Sequence, residues 1–527
     1  MDLEAAKHVQ RARRNTLGDL LTRTRARYPH KLALVYGTAR WTYQQLDEAV
    51  NRTAHAFSAK GIGHGTPVAV LSRNSLDFAV IALALARLGA IFVPINYMLN
   101  EEEVAFIAGH SDVGAAAASE EFAPLMDSAL AAVGKSDVPR YLMDSDAAAA
   151  VPAGWLSLDR ERQSGSSAEF ESAVSDGDVA QILYTSGTES RPKGVLLTHA
   201  NLLAQFVSCI VDGRMEARDV AIHALPMYHS AQLNCFLWPG VYIGATGIIL
   251  SHADPAEILS VVERERATQL FCPPTVWIAL LRHPAFPERD LSSLEKCYYG
   301  AAIMPMEVLK ELSERLPQAR FWNFYGQTEV APLATALQPE DQLHKLGSAG
   351  RPTLNVETKV VDDEGREVPP GTVGEIVHRT AHAMLGYLKE PEKTLEAFRD
   401  GWFHSGDLGV MDEEGYLTVV DRKKDMIKSG GENVSSREVE EVIYTFPGIS
   451  EVAVVGVPDP YWMEAVTAVV VPKPGVTLDA EALKAHCRSR LAHFKVPKHV
   501  VVVHQLPKNP SGKVLKRDLR EQYRNLV

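Results

Sequence analysis

Between residues 68 and 95 the chain sets out a strand, a helix and a second strand with every boundary marked. Val68-Ala69-Val70-Leu71 is a short apolar run. Asn74-Ser75 offers a helix cap, residues 76–88 form an apolar helical stretch, and Gly89 supplies the stop. Residues 90–95 are extended again. Two strands joined by one short crossover helix predict parallel pairing and a sheet covered by helices. Residues 16–60 mix a helical pattern with an extended stretch around Leu32–Tyr36. Strand-like runs then recur at 180–184, 220–224, 247–250, 269–272, 296–299 and 320–324, with helical patterns such as 256–266 and 305–315 between them. Each strand ends in a polar or glycine-rich turn, where open α/β sheets hold their ligands. Residues 111–178 are Ala-rich and polar and read as loop-rich surface.

The pattern changes after residue 355. Short extended runs at 357–361 and 375–377 are separated by Asp362-Asp363-Glu364-Gly365 and Pro369-Pro370-Gly371, which predicts antiparallel strands with turns. Asp421-Arg422-Lys423-Lys424-Asp425 is a charged segment suited to an exposed linker. Beyond it come a helix near 436–445, strands at 451–457 and 465–471, a helix at 479–491 and a strand at 499–504. The expected fold is α/β: a large N-terminal region, residues 1–420, of parallel sheets covered by helices with a small β-rich portion. A smaller mobile α+β domain covers residues 421–527.

Composition narrows the class of function. With 54 Lys and Arg against 66 Asp and Glu the net charge is −12, which disfavours a nucleic-acid backbone as partner. Cys209, Cys235, Cys272, Cys297 and Cys487 have no CxxC spacing, so neither a zinc cluster nor a disulfide framework is expected. Residues 220–253 lack Asp, Glu, Lys and Arg, but Pro226, His229, Gln232, Asn234, Pro239 and Gly240 interrupt them. Buried strand, loop and helix are expected there, not a transmembrane segment. The charged N-terminus lacks the apolar core of a secretory signal and Asn525-Leu526-Val527 is not a peroxisomal address, so a cytoplasmic location is expected. A homodimer is admissible.

The sharpest chemical signal is Tyr184-Thr185-Ser186-Gly187-Thr188-Glu189-Ser190-Arg191-Pro192-Lys193-Gly194. A strand runs into hydroxyls, glycine and one lysine, groups that can wrap a polyphosphate. It is not a P-loop, which needs Gly before the Lys and Ser or Thr after it; Pro192 and Gly194 stand there. Four further strings follow in order: Tyr325-Gly326-Gln327-Thr328-Glu329, Trp402-Phe403-His404-Ser405-Gly406-Asp407, Asp421-Arg422-Lys423-Lys424-Asp425 and Asn509-Pro510-Ser511-Gly512-Lys513. Together they resemble the adenylate-forming superfamily of acyl-CoA synthetases, peptide-synthetase adenylation domains and firefly luciferases, over nearly the whole chain.

The resemblance implies that a carboxylate attacks the α-phosphate of ATP to give acyl-AMP and pyrophosphate, and that the thiol of coenzyme A then gives the thioester and AMP. It implies that Thr185, Ser186, Gly187, Thr188 and Lys193 hold the β- and γ-phosphates. Glu329 would bind Mg²⁺, with Thr328 near the α-phosphate. Gly300-Ala301-Ala302 would form the adenine turn, completed by Asn323, Tyr325 and Gly326. Asp407 would hold the ribose hydroxyls with help from Arg422. Lys513 would bridge carboxylate and α-phosphate. The family usually has Thr-Gly where this chain has Glu189-Ser190, which bears on the loop's geometry and not on the reaction class.

The small domain of that superfamily rotates between half-reactions. Lys424 matches its hinge, and Lys428, Ser429, Gly430 and Gly431 match the segment beside the pantetheine of CoA; they also read as a plain glycine turn before a helix capped by Ser435 or Ser436. The acid is expected between 226 and 240 and around 300–335, with His229, Leu233, Gly300 and Ala331 in contact. No Arg or Lys there marks a second carboxylate and no Asp marks an amino group, so an aliphatic or aryl monocarboxylate is favoured. Two readings stand beside the acid–CoA ligase: an acyl-AMP ligase loading a carrier protein, and a non-catalytic acyl-nucleotide sensor.

Overall fold

The computed structural model describes residues 3–144, 151–185, 192–300, 302, 304–423, 425–509 and 512–526. The protein is α/β, and two large sheets carry most of it. A nine-stranded sheet runs in spatial order 351–352, 333–337, 320–326, 296–300, 269–271, 220–223, 246–249, 32–36 and 39–42. Its strands from 320–326 through to 32–36 pair in parallel, and antiparallel strands close both edges. An eight-stranded sheet runs 386–387, 193–198, 179–185, 91–94, 67–71, 115–119, 140–143 and 156–157. The helix Leu76–Leu88 joins two of its parallel strands, with Ser75 capping Phe78 N–H and Gly89 in the left-handed conformation at the other end.

All thirteen residues of that helix are buried. They join one continuous core with Leu34 and Ile249 of the nine-stranded sheet and Val68, Val70 and Phe92 of the eight-stranded one. A helix apolar on every side is stable only where both sides are covered. Its two charges are matched: Arg87 lies 2.7 Å from Asp47, and Asp77 lies 2.7 Å from Arg162. A buried charge without a partner would be costly.

Residues 111–178 are only partly loop: 165–178 run without helix or strand and are mostly exposed, but strands and helices occupy much of what is described before them. The strand Ala115–Ser119 lies inside the eight-stranded sheet, and Ala115 to Ala118 are wholly buried. Helices Ala123–Ala132 and Leu158–Ser164 and the strand Arg140–Met143 complete that region. Burial between neighbouring strands overrides the weak β-preference of alanine here.

A five-stranded antiparallel sheet follows: Val356–Val361, Gly374–Thr380, Phe398–Arg399, Trp402–Met411 and Leu417–Arg422. Of the described residues in the charged segment at 421–425, only Lys423 is fully exposed. Asp421 and Arg422 end a strand, and the buried Asp421 carboxylate accepts from Ser436 N–H at 2.8 Å. The C-terminal unit is a sheet of Ile427–Ser429, Glu432–Val434, Ile449–Asp459, Met463–Pro472 and His499–Val502 with helices Ser436–Tyr444, Ala480–Arg488 and Lys516–Gln522. No helix among the described residues is long and apolar enough to cross a membrane.

Candidate active site

Two of the motifs singled out above begin at the C-terminal ends of strands in the two large sheets. Thr185 ends the strand Val179–Thr185 and pairs with Lys193, which opens the antiparallel strand Lys193–Thr198. The two described ends of that motif therefore lie on paired strands. Ser186, Gly187 and Thr188 lie outside the described residues, as do Ala301 and Lys424. The helix that follows the strand Lys193–Thr198 is His199–Asp212, capped by Thr198.

Lys193 does not point into open solvent. Its Nζ sits 4.3 Å from the ring centroid of Tyr387. The hydroxyl of Tyr387 in turn donates to Oε1 of Glu329 at 2.9 Å. Glu329 is 7% exposed, in the turn after the strand Arg320–Gly326, and its carbonyl accepts from Met384 N–H at 2.8 Å. Beside it, Thr328 Oγ1 is 3.0 Å from Ser230 Oγ. Lys193, Thr328 and Glu329 were legible as motif members. Tyr387 and Ser230 were not, because each reaches the cluster from a distant part of the chain.

Mg²⁺ keeps most of its waters and binds through phosphate oxygens and one or two protein carboxylates. A single buried carboxylate, hydrogen-bonded by the tyrosine whose ring holds Lys193, fits that need. Among the described residues no cluster of three or more His, Cys, Asp or Glu is built to cage a metal.

A second knot forms where the five-stranded sheet meets the strand Arg320–Gly326. Tyr325 donates to Asp407 Oδ2 at 2.7 Å, and Arg422 Nε is 3.3 Å from Asp407 Oδ1. Burial and the adjacent carboxylate push the Tyr325 phenol well above its ordinary pKa, so it stays a donor. Gln327 donates to Ser405 O at 3.2 Å and Asn323 to Ser348 O at 3.0 Å. Gly300 closes the strand Lys296–Gly300; a Cβ there would lie 2.3 Å from Phe324 O. A Cβ on Gly326 would lie 1.8 Å from Pro332 O. Both glycines mark close backbone approach, and Ala302 beyond Gly300 is exposed.

His229 follows the strand Val220–His223 and precedes a π-helix, Ala231–Leu237. Such wide turns gather at functional sites. Leu233, Val330 and Ala331 belong to the large apolar core shared by the two main sheets. Burial first, and then the Lys513 ammonium, push the His229 imidazole down to about 4. Lys513, in the C-terminal unit, is therefore near enough for its charge to be felt at His229. Its neighbour Gly512 accepts from Thr275 Oγ1 at 2.8 Å, at the start of the helix Pro274–Arg282.

Lys428 to Gly431 form a hairpin between Ile427–Ser429 and Glu432–Val434, with Gly430 and Gly431 both at positive φ, 62° and 87°. Its contacts are with Trp462 and Glu464 of the same unit. Ser435 caps the helix that follows.

The chain is similar to known proteins along nearly its whole length. The family described as AMP-binding enzyme matches residues 21–388, and the AMP-binding enzyme C-terminal domain matches residues 438–513. A feruloyl-CoA synthase of an Amycolatopsis species is 38% identical over 513 residues, covering 97% of this chain and 100% of that protein. A long-chain-fatty-acid–CoA ligase of Mycobacterium tuberculosis is 36% identical over 488 residues, covering 92% and 93%. The crystal structure of the anthranilate CoA ligase AuaEII with anthranoyl-AMP superposes with a TM-score of 0.90 at 26% identity, covering 97% of each chain.

Proposed function

The chain belongs to the AMP-binding enzyme family, and on that premise we propose that it is an ATP-dependent acid–CoA ligase for a fatty or aryl monocarboxylic acid. The acid's carboxylate oxygen bonds to the α-phosphorus of ATP and the bond to pyrophosphate breaks. The thiol of coenzyme A, giving up its proton, then bonds to the acyl carbon, and AMP leaves. The observation that supports this most is that the segment after the strand Arg320–Gly326 serves both clusters: Tyr325 holds Asp407, and Glu329, four residues on, is tied through Tyr387 to Lys193.

The chain's own residues do positioning and charge work. Lys193 takes the β- and γ-phosphates in exchange for the Tyr387 ring face. Asp407, held by Tyr325 and Arg422, accepts from the ribose hydroxyls. Thr328 lies at the α-phosphate. Glu329 would hold Mg²⁺, which would offset the triphosphate's charge. Lys513 meets the charge that builds between carboxylate and α-phosphate. Neutral His229 lines the acyl side with Leu233 and Ala331.

In this reading the contact of Gly512 with Thr275 belongs to the adenylation half-reaction, and residues 421–527 move as a unit about Lys424 for thioester formation. That motion brings Lys428, Ser429, Gly430 and Gly431 to the pantetheine arm. The same reading assigns the enzyme to the cytoplasm and admits a homodimer, which cell fractionation and light scattering check.

Incubation with ATP, Mg²⁺, CoA and a panel of short, medium, long and aryl acids tests the reaction. AMP and acyl-CoA together are the expected products. Acyl-AMP that is consumed only by a phosphopantetheinylated carrier protein would replace the acceptor. Nucleotide binding without turnover of any acid would leave the sensor.

A further inference from the structure

We infer that Tyr387 is a positioning residue that sets the distance between the phosphate-binding lysine and the metal-binding carboxylate, by its ring on one side and its hydroxyl on the other. The inference rests on the role of Glu329 proposed above.

Lys193 and Glu329 come from different sheets. Lys193 opens an antiparallel strand of the eight-stranded sheet, and Glu329 follows a strand of the nine-stranded one. One ligand, a metal-bound triphosphate, must meet both. Segment 384–388 stitches the two sheets together at this seam. Met384 N–H donates to Glu329 O at 2.8 Å, while Leu385 N–H and Leu388 N–H donate to Leu196 O and Gly194 O at 2.9 and 2.8 Å. Tyr387 pairs with Val195 in the sheet, and its own N–H donates to Thr394 Oγ1 at 2.9 Å. Its backbone is thus fixed from two directions, and it is 7% exposed.

From that fixed point the side chain does two separate things. The hydroxyl holds Glu329 Oε1 at 2.9 Å and so fixes how the buried carboxylate is turned. Residues that orient a metal-binding carboxylate by hydrogen bonding tune metal affinity in this way. The ring face holds Lys193 Nζ at 4.3 Å from its centroid. An ammonium and a carboxylate left side by side in a buried site would pair and neutralise one another. An aromatic face attracts the ammonium more weakly than a phosphate does, so the lysine stays available to nucleotide. The two functions separate by substitution: Tyr387→Phe keeps the ring and removes the hydroxyl, and Tyr387→Leu removes both.

Calorimetric ATP binding with and without Mg²⁺, on the full chain, reads the effect without turnover. The Mg²⁺ enhancement of ATP affinity should fall about tenfold in Tyr387→Phe, with metal-free ATP affinity near that of the parent. Tyr387→Leu should lose both the enhancement and metal-free affinity. Conversion of supplied acyl-AMP and CoA to thioester should be unchanged in Tyr387→Phe, which also shows that it folds. Glu329→Gln separates the premise from the inference. If Glu329→Gln abolishes the enhancement while Tyr387→Phe retains all of it, the positioning role is overturned. If Glu329→Gln retains the full enhancement, the metal reading of Glu329 fails and the inference fails with it.

Discussion

The hydroxyl of Tyr325 donates to Oδ2 of Asp407 at 2.7 Å, tying a parallel strand of the nine-stranded sheet to the antiparallel sheet that follows. Asp407 is 7% exposed and also faces Arg422 at 3.3 Å. This carboxylate is turned by two side chains before any ribose arrives. A hydrogen bond to a charged group contributes about 1.5–3 kcal/mol. Tyr325→Phe should therefore raise the KM for ATP about tenfold or more with kcat much less affected. An unchanged KM would show that Asp407 does not need the phenol.

Lys513 and its support make a second prediction. Lys513→Ala should lose adenylation by orders of magnitude and still convert supplied acyl-AMP plus CoA. Thr275→Val removes the hydroxyl that donates to Gly512 O and leaves a side chain of the same shape. It should slow adenylation several-fold and spare thioester formation. Equal losses in both half-reactions would break the link between this contact and the adenylation state.

Four buried histidines set the acid side of stability. Burial holds His223 and His378 at about 3 and is the largest cause holding His199 and His382 at about 4, against an ordinary value of 6.5. The folded chain keeps these rings neutral, whereas the unfolded chain protonates them below about pH 6.5. Their contribution is complete above that pH and is lost as the pH falls toward 4 and then 3. The melting temperature should drop from pH 6.5 to 5, and His378→Gln should flatten that slope. A Tm constant across the window would contradict the assignment.

Gly300 gives a steric test. A Cβ there would lie 2.3 Å from Phe324 O, a backbone atom of the paired strand. Gly300→Ala should push apart the ends of Lys296–Gly300 and Arg320–Gly326. The expected cost is about 1–3 kcal/mol, with ATP affinity lost in step, read by thermal melts and nucleotide titration. Full stability with normal ATP binding would show that the strand ends can give.

The parallel architecture was legible because each element carried its own punctuation, as Ser75 and Gly89 do around the helix between them. Ala115 to Ala118 carried none. Four alanines say little about strand or helix, and only the neighbours on both edges make them a strand. Site residues inside motifs were legible for the same local reason. Ser230, Tyr387 and Thr275 meet their partners across 98, 58 and 237 residues, and a hydroxyl that matters only through such a contact leaves no mark in its own surroundings. The hairpin at Gly430 and Gly431 was readable as a turn, since two successive positive φ values call for glycine.

In the proposed reaction the acid is activated by bonding its own oxygen to the α-phosphorus of ATP. Supplying the acid with ¹⁸O in its carboxylate, with ATP, Mg²⁺ and CoA, tests it directly by mass spectrometry of the nucleotide product. The expected products are acyl-CoA and AMP that carries one ¹⁸O in its phosphate, because the oxygen bridging the mixed anhydride leaves with AMP. Acyl-CoA formed alongside unlabelled AMP, or alongside ADP, would contradict it.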